Sequence, residues 1–120
     1  MAHNPAGAWA LRSTLSATAE GRRLIFVFGA LRDKAIGEMA EILFPLAEQV
    51  IATQADNPRA ATIEEIREAS RRVSLLLEEA PDVASALARA QNLAGSTGLV
   101  VVTGSIYIVG EAMRLLSAPV

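Results

Sequence analysis

The chain has 120 residues, of which 52% are hydrophobic and only 4% aromatic, enough for one domain with an aliphatic, alanine-rich core. Eleven Lys and Arg stand against 13 Asp and Glu, a net charge of −2 with the signs interspersed, which argues against nucleic acid or anionic membrane as main partners. The lack of cysteine removes disulfide and thiolate chemistry, and the longest apolar runs have strand length, far short of a membrane span. Met1-Ala2-His3-Asn4-Pro5 shows neither a basic stretch nor an apolar signal core, so a cytoplasmic location is expected.

Asn4-Pro5 predicts a helix start, with Asn4 as cap and Pro5 at the first helical position. The inner face would be Ala8, Leu11, Leu15 and Ala19, with Gly21 as the stop. Trp9 falls off that stripe, so it either folds over a neighbouring side chain or meets a surface outside this chain. Leu24–Phe28 reads as a strand buried on both faces. The next helix buries Ile36, Met39, Ala40 and Leu43 until Pro45 interrupts it. Val50–Thr53 is a short strand, followed by the turn-rich loop Gln54–Ala61. Thr62 and Glu65 form a capping box for a helix with Ile63, Ile66 and Ala69 inside.

Val73–Leu77 is either a strand or an extension of that helix, and the strand is expected. Pro81-Asp82 opens a helix with Val83, Ala86, Leu87, Ala90 and Leu93 inward and Gly95 at its end. Leu99–Thr103 is another buried strand. Thr103-Gly104-Ser105 then turns the chain, with Ser105 as N-cap of a helix whose inner face would be Ile106, Val109, Met113 and Leu116. Strands alternating with helices, and nearly continuous apolar strands, predict a three-layer α/β/α Rossmann-like domain with a mainly parallel sheet of at least four strands. Residues 1–120 form one domain with no internal repeat or linker.

In such a sheet every strand-to-helix loop lies at one edge. Gly29–Lys34, Gln54–Ala61 and Gly104-Ser105 therefore share a rim that collects Lys34, Arg59, Asn57 and Ser105. Those groups suit a small anion such as a carboxylate or phosphate; the alternative is a set of solvated loop charges. No phosphate-cradling glycine motif accompanies them. His3 is the sole histidine, too little for a His-based metal site or a Ser-His-Asp triad. Glu64-Glu65 and Glu78-Glu79 read as solvated carboxylates beside helix starts or on helix faces.

Four blocks, in order, carry a likeness. Ala2-His3-Asn4-Pro5-Ala6-Gly7-Ala8, Gly29-Ala30-Leu31-Arg32-Asp33-Lys34, Ala55-Asp56-Asn57-Pro58-Arg59-Ala60-Ala61 and Thr103-Gly104-Ser105-Ile106-Tyr107-Ile108-Val109-Gly110-Glu111 resemble the C-terminal domain of the folylpolyglutamate synthase/dihydrofolate synthase family, within the Mur ligase superfamily. The Asp56–Arg59 block also resembles the amino-acid-recognition loop of the diaminopimelate-adding Mur ligase.

The resemblance implies ATP-dependent addition of L-glutamate to folate: a folate carboxylate becomes an acyl phosphate, which the glutamate amine attacks. Dihydropteroate is left open as a further acceptor. Lys34, Asn57, Arg59 and Ser105 would bind glutamate, and His3 and Asn4 would lie near the nucleotide. ATP and Mg²⁺ would belong to the full-length enzyme and to a central ATPase domain of the same chain, with no cofactor, metal ligand or catalytic residue in residues 1–120. In the family pattern an aspartate and a glycine precede Ala2-His3, and Met1 stands at the glycine position. The expectation is a domain excised from a longer ligase and inactive alone. The rivals are the same domain from a Mur-type ligase for another amino acid, and a stand-alone module for a small anion. The likeness further implies that the Leu99 strand lies beside the Leu24 strand, bringing Gly29 and Ser105 together.

Overall fold

Leu24 to Phe28 are buried at every position, so this segment has to lie between covered faces in the middle of a sheet. The computed structural model, which describes residues 3–73 and 77–117, places it there. The strands are β1 (Arg23–Phe28), β2 (Gln49–Ala52), β3 (Leu77–Glu79) and β4 (Gly98–Thr103). They form a parallel sheet in the order β3-β2-β1-β4. Register along β1–β4 runs from Arg23 opposite Gly98 to Phe28 opposite Thr103. The Leu99 strand thus lies beside the Leu24 strand, as expected, which puts Gly29 and Ser105 at the same end of adjoining strands.

The helices are α1 (Pro5–Thr18), α2 (Ile36–Leu43), α3 (Ile63–Ala69), α4 (Val83–Ala94) and α5 (Ile106–Ser117), with a 3₁₀ turn at Phe44–Leu46 where Pro45 stops α2. Strand alternation sends Leu24, Phe26 and Phe28 to a core shared with Ala8, Leu15, Met39, Leu43 and Ile66. Phe28 meets Phe44 edge-on, with ring centroids 5.1 Å apart. Ile25, Val27 and Ile51 face the other way, against Ala86, Ala90 and Ala94 of α4. The connections through α2 and α3 therefore use one face and that through α4 the other, as right-handed crossovers require when strand order reverses.

Local signals set the helix ends. Asn4 Oδ1 accepts from the Gly7 N–H at 2.8 Å, Asp82 Oδ1 accepts from Ser85 at 2.8 Å, and Thr62 and Glu65 close the capping box. Trp9 is 57% exposed, with the Arg12 guanidinium 5.7 Å from its ring centroid and Arg12 itself donating to the Ile42 carbonyl.

Three expectations need correction. Val73 lies in a turn, and the described strand residues are Leu77–Glu79; residues 74–76 of the expected strand are outside the described residues. Glu78 and Glu79 are therefore strand residues, and ion pairs with Arg89 and Arg67 hold their charges at the sheet. Ala69, at the end of α3, is exposed rather than inside. The third correction is α5: it turns Ile108 and Ala112 inward, with Val109 half-buried, and leaves Ile106, Met113 and Leu116 exposed. Close packing explains that rotation. A Cβ on Gly29 would lie 2.9 Å from Ile108 Cγ2, so the bare glycine makes the space that Ile108 fills.

Candidate functional site

The carboxyl ends of β1, β2 and β4 deliver three loops to one rim. The first two are tied together by main-chain bonds: Ala61 N–H donates to the Ala30 carbonyl at 2.8 Å, Arg32 N–H to the Arg59 carbonyl at 3.0 Å, and Leu31 bridges Ala60. The third joins at the β1–β4 seam. Gly29 N–H donates to the Thr103 carbonyl at 3.3 Å, and Gly104, at φ +114°, passes so close to the Gly29 carbonyl that only a glycine fits.

Ser105 follows at once and is buried. Its hydroxyl accepts from Ile108 N–H at 3.2 Å and its carbonyl from Val109 N–H at 3.3 Å, which makes it the N-cap of α5. The positive end of that helix thus points into the rim.

There the loops enclose a pocket of about 200 Å³ lined by His3, Leu31, Lys34, Arg59, Gly104, Ser105, Ile106 and Tyr107. Of the residues singled out in the sequence, His3, Lys34, Arg59 and Ser105 converge on it. Asn4 and Asn57 do not line it, and both are engaged locally. Asn4 caps α1; Asn57 Oδ1 accepts from Arg59 N–H at 2.8 Å and its carbonyl from Ala60 N–H at 3.0 Å, a turn that shapes the backbone under Arg59.

Arg59 itself is paired with Asp33, Nη2 to Oδ2 at 2.8 Å. The guanidinium hydrogen bond, with the charges of Arg59 and Lys34, holds the Asp33 carboxyl below the usual aspartate range. Sequence reasoning passed over Asp33, whose signal is its place directly before Lys34. It also passed over Leu31, Ile106 and Tyr107, which give the pocket apolar walls around its cations.

A wider groove of about 610 Å³ lies between α2 and α3. Glu64, Glu65 and Glu68 outweigh Arg32 and Lys34 among its lining charges, so it disfavours an anion, and Arg32 is already 3.8 Å from Glu65. The smaller pocket is the better anion site although it is the smaller one. Among the described residues no three His, Asp or Glu side chains gather in a metal-ligating group. No helix among them is long and apolar enough to cross a membrane.

A parallel sheet whose order reverses between β1 and β4, with a cation-lined pocket at the reversal, defines an open doubly wound α/β domain with its site at the switch point. The chain belongs to the family described as Mur ligase, glutamate ligase domain, which matches residues 1–106. It is 35% identical to the dihydrofolate synthase/folylpolyglutamate synthase of Mycobacterium tuberculosis, over 95% of this chain and 26% of that protein. The M. tuberculosis folylpolyglutamate synthase complexed with ADP superposes with a TM-score of 0.87 at 31% identity, covering 98% of this chain and 29% of that one. E. coli FolC in complex with DHPP and ADP gives 0.88 at 28% identity, over 98% and 28%. The chain thus spans little more than a quarter of the length of the proteins it matches.

Proposed function

We propose that this chain is the glutamate-receiving domain of an ATP-dependent ligase that lengthens folate by L-glutamate, acting in the cytoplasm together with a separate ATPase domain. The observation that carries the reading is the pocket that gathers Lys34, Arg59 and the Ser105 helix terminus at the switch point. Family membership and the likeness to two ADP-bound ligases support it.

Glutamate brings two carboxylates and an amine that has to be neutral to attack. Cations placed at the carboxylates orient the molecule while leaving the amine unbound as an ammonium. Arg59 offers a planar two-donor fork, Lys34 a point charge and Ser105 a hydroxyl at a helix N-terminus. Asn57 acts one step back, by shaping the turn that presents Arg59. His3 lies at the pocket and Asn4 caps the adjoining helix, on the side we propose for the nucleotide. The described residues offer neither a phosphate-cradling loop nor a metal-ligating cluster, so no step through ATP or Mg²⁺ is assigned to them.

Steady-state kinetics in an intact ligase carrying this domain test the reading. Arg59→Ala removes a charge-assisted contact and should raise the glutamate KM by about 10- to 150-fold, with the ATP and folate KM near the parent values. Arg59→Lys should recover only part, since an ammonium lacks the fork. An unchanged glutamate KM and kcat in Arg59→Ala would reduce Arg59 to a solvated loop charge.

A further inference from the structure

We infer that Glu111 is a positioning residue for the rim site, its carboxylate bracing the Asp56–Ala61 loop against the helix that bears Ser105. The inference rests on reading the rim as an amino-acid site. The two sides of the pocket belong to different elements: Arg59 comes from the β2–α3 loop and Ser105 from the start of α5. The distance between them decides which anion fits, so something has to fix the loop relative to the helix.

Glu111 lies in the second turn of α5, half-buried, and its Oε2 accepts the Asp56 N–H at 2.8 Å. Asp56 lies past the end of β2, so its amide has no strand partner to donate to. The loop's remaining bonds run within itself (Asn57 N–H to Ala55, Ala60 N–H to Asn57) or to the β1–α2 loop (Arg32 N–H to Arg59, Ala61 N–H to Ala30). Ala55 is buried with Ile108 and Ala112, so apolar contact sets how near the loop comes to α5. Apolar contact has no direction; the Glu111 bond has one, and it fixes the orientation in which the loop continues to Asn57 and Arg59.

A carboxylate suits this task. Bonds from a backbone N–H to an ionised oxygen are shorter and stronger than neutral ones. The acidic side chain of Asp56 is of like sign and exposed, so the attraction here is to the amide and not to the side chain. On a helix rigidly docked through Ile108 and Ala112, Glu111 ties the Arg59 side of the pocket to the Ser105 side.

The test has two arms. In an intact ligase, Glu111→Ala and Glu111→Met should raise the glutamate KM by about 10-fold while kcat and the ATP and folate KM stay near the parent, the loss expected from one charge-assisted bond acting at a distance. Glu111→Gln keeps an acceptor oxygen and should restore the KM to within about 3-fold. In the 120-residue chain, amide exchange at Asp56 should quicken at least about 10-fold in Glu111→Met and stay slow in Glu111→Gln. If the Ala and Met variants do not fold, Glu111→Asp decides: one methylene shorter, it should raise the glutamate KM in a folded enzyme, and an unchanged KM overturns the inference. A parent-like KM in Glu111→Met alongside a raised one in Arg59→Ala overturns the bracing role alone. If both variants are silent, the amino-acid reading of the rim falls with it.

Discussion

Replacing Gly104 by alanine tests the seam on which the site is built. Its φ of +114° is strained for any residue with a Cβ, and an added Cβ would stand 2.2 Å from the Gly29 carbonyl oxygen and 3.1 Å from the Phe28 ring. Ordinary van der Waals contact begins at 3.4 Å, so β4 and β1 would have to separate by about 1 Å where they enter the site. Backbone strain of this kind costs about 1–3 kcal/mol and overpacking about 1–3 kcal/mol more.

The two costs can be separated within the molecule. Gly21 also has a positive φ, +81°, but a Cβ there meets nothing within 4 Å. Gly21→Ala thus pays strain alone. Urea unfolding followed by circular dichroism should show Gly104→Ala losing more than Gly21→Ala by about 1–3 kcal/mol, a further midpoint shift of about 0.7–2 M at an m-value of about 1.5 kcal/mol/M. Because Ser105 follows directly, the same variant in an intact ligase should lose glutamate use by up to about 100-fold, the effect of a misplacement near 1 Å. Equal losses in the two alanine variants would show that the seam yields freely, and the close-approach argument would fail.

Phe26→Ala, at a fully buried position of the central strand, should cost about 3–5 kcal/mol in the same unfolding assay. Hydrogen bonds lower the pKa of Asp82, from the Ser85 amide, and of Glu65, from Thr62, while hydrogen bonds from Arg59 and Arg89 lower those of Asp33 and Glu78. Carboxyl groups depressed on folding contribute stability that is full above their unfolded values of 3.8 to 4.5 and is lost as pH falls through the lower folded values. Unfolding midpoints should accordingly drop below about pH 4.5, and Asp82→Asn, which still caps α4 but does not titrate, should flatten the drop; an unchanged acid limb would count against that assignment. Asp33→Asn should free Arg59 and lower the glutamate KM by up to about 5-fold, the scale of an exposed ion pair, whereas a raised KM would mean that Asp33 itself helps hold the substrate.

The sheet and its rim were legible because the signals were local and redundant. Leu24–Phe28 and Leu99–Thr103 could hardly be anything except strands, although Leu99–Val102, expected to be buried on both faces, are only half-buried, and Asn4, Thr62, Asp82 and Ser105 all cap as their side chains suggest. What escaped was decided between elements. The Val73–Leu77 run looks more like a strand than Leu77-Glu78-Glu79 does, since nothing near in sequence announces that Arg67 and Arg89 will neutralise the two glutamates. Both faces of α5 are apolar, so periodicity could not choose between Ile106, Met113 and Leu116 and the smaller Ile108-Ala112 face. Gly29, 79 residues upstream of Ile108, chose for it. In the same way, the pocket residues Lys34, Arg59 and Ser105 could be named in advance, but the Asp33 partner of Arg59 and the Glu111 tie to Asp56 arise only when distant loops meet.

The place of β4 in the sheet also governs when a site can exist during folding. The pairing of β1 with β2 joins near neighbours in the chain, whereas Arg23 reaches Thr97 across 74 residues. Closing so long a loop is entropically unfavourable until β4 and α5 dock, so the β1–α2–β2–α3 portion is the natural early nucleus. Leu31, Lys34 and Arg59 lie in that portion, and Gly104, Ser105, Ile106 and Tyr107 arrive only with the final strand-helix unit. An amino acid that binds the pocket therefore recognises completed chains alone, and its stabilising effect should appear as slower unfolding of β4 and α5 with little acceleration of the earliest folding steps.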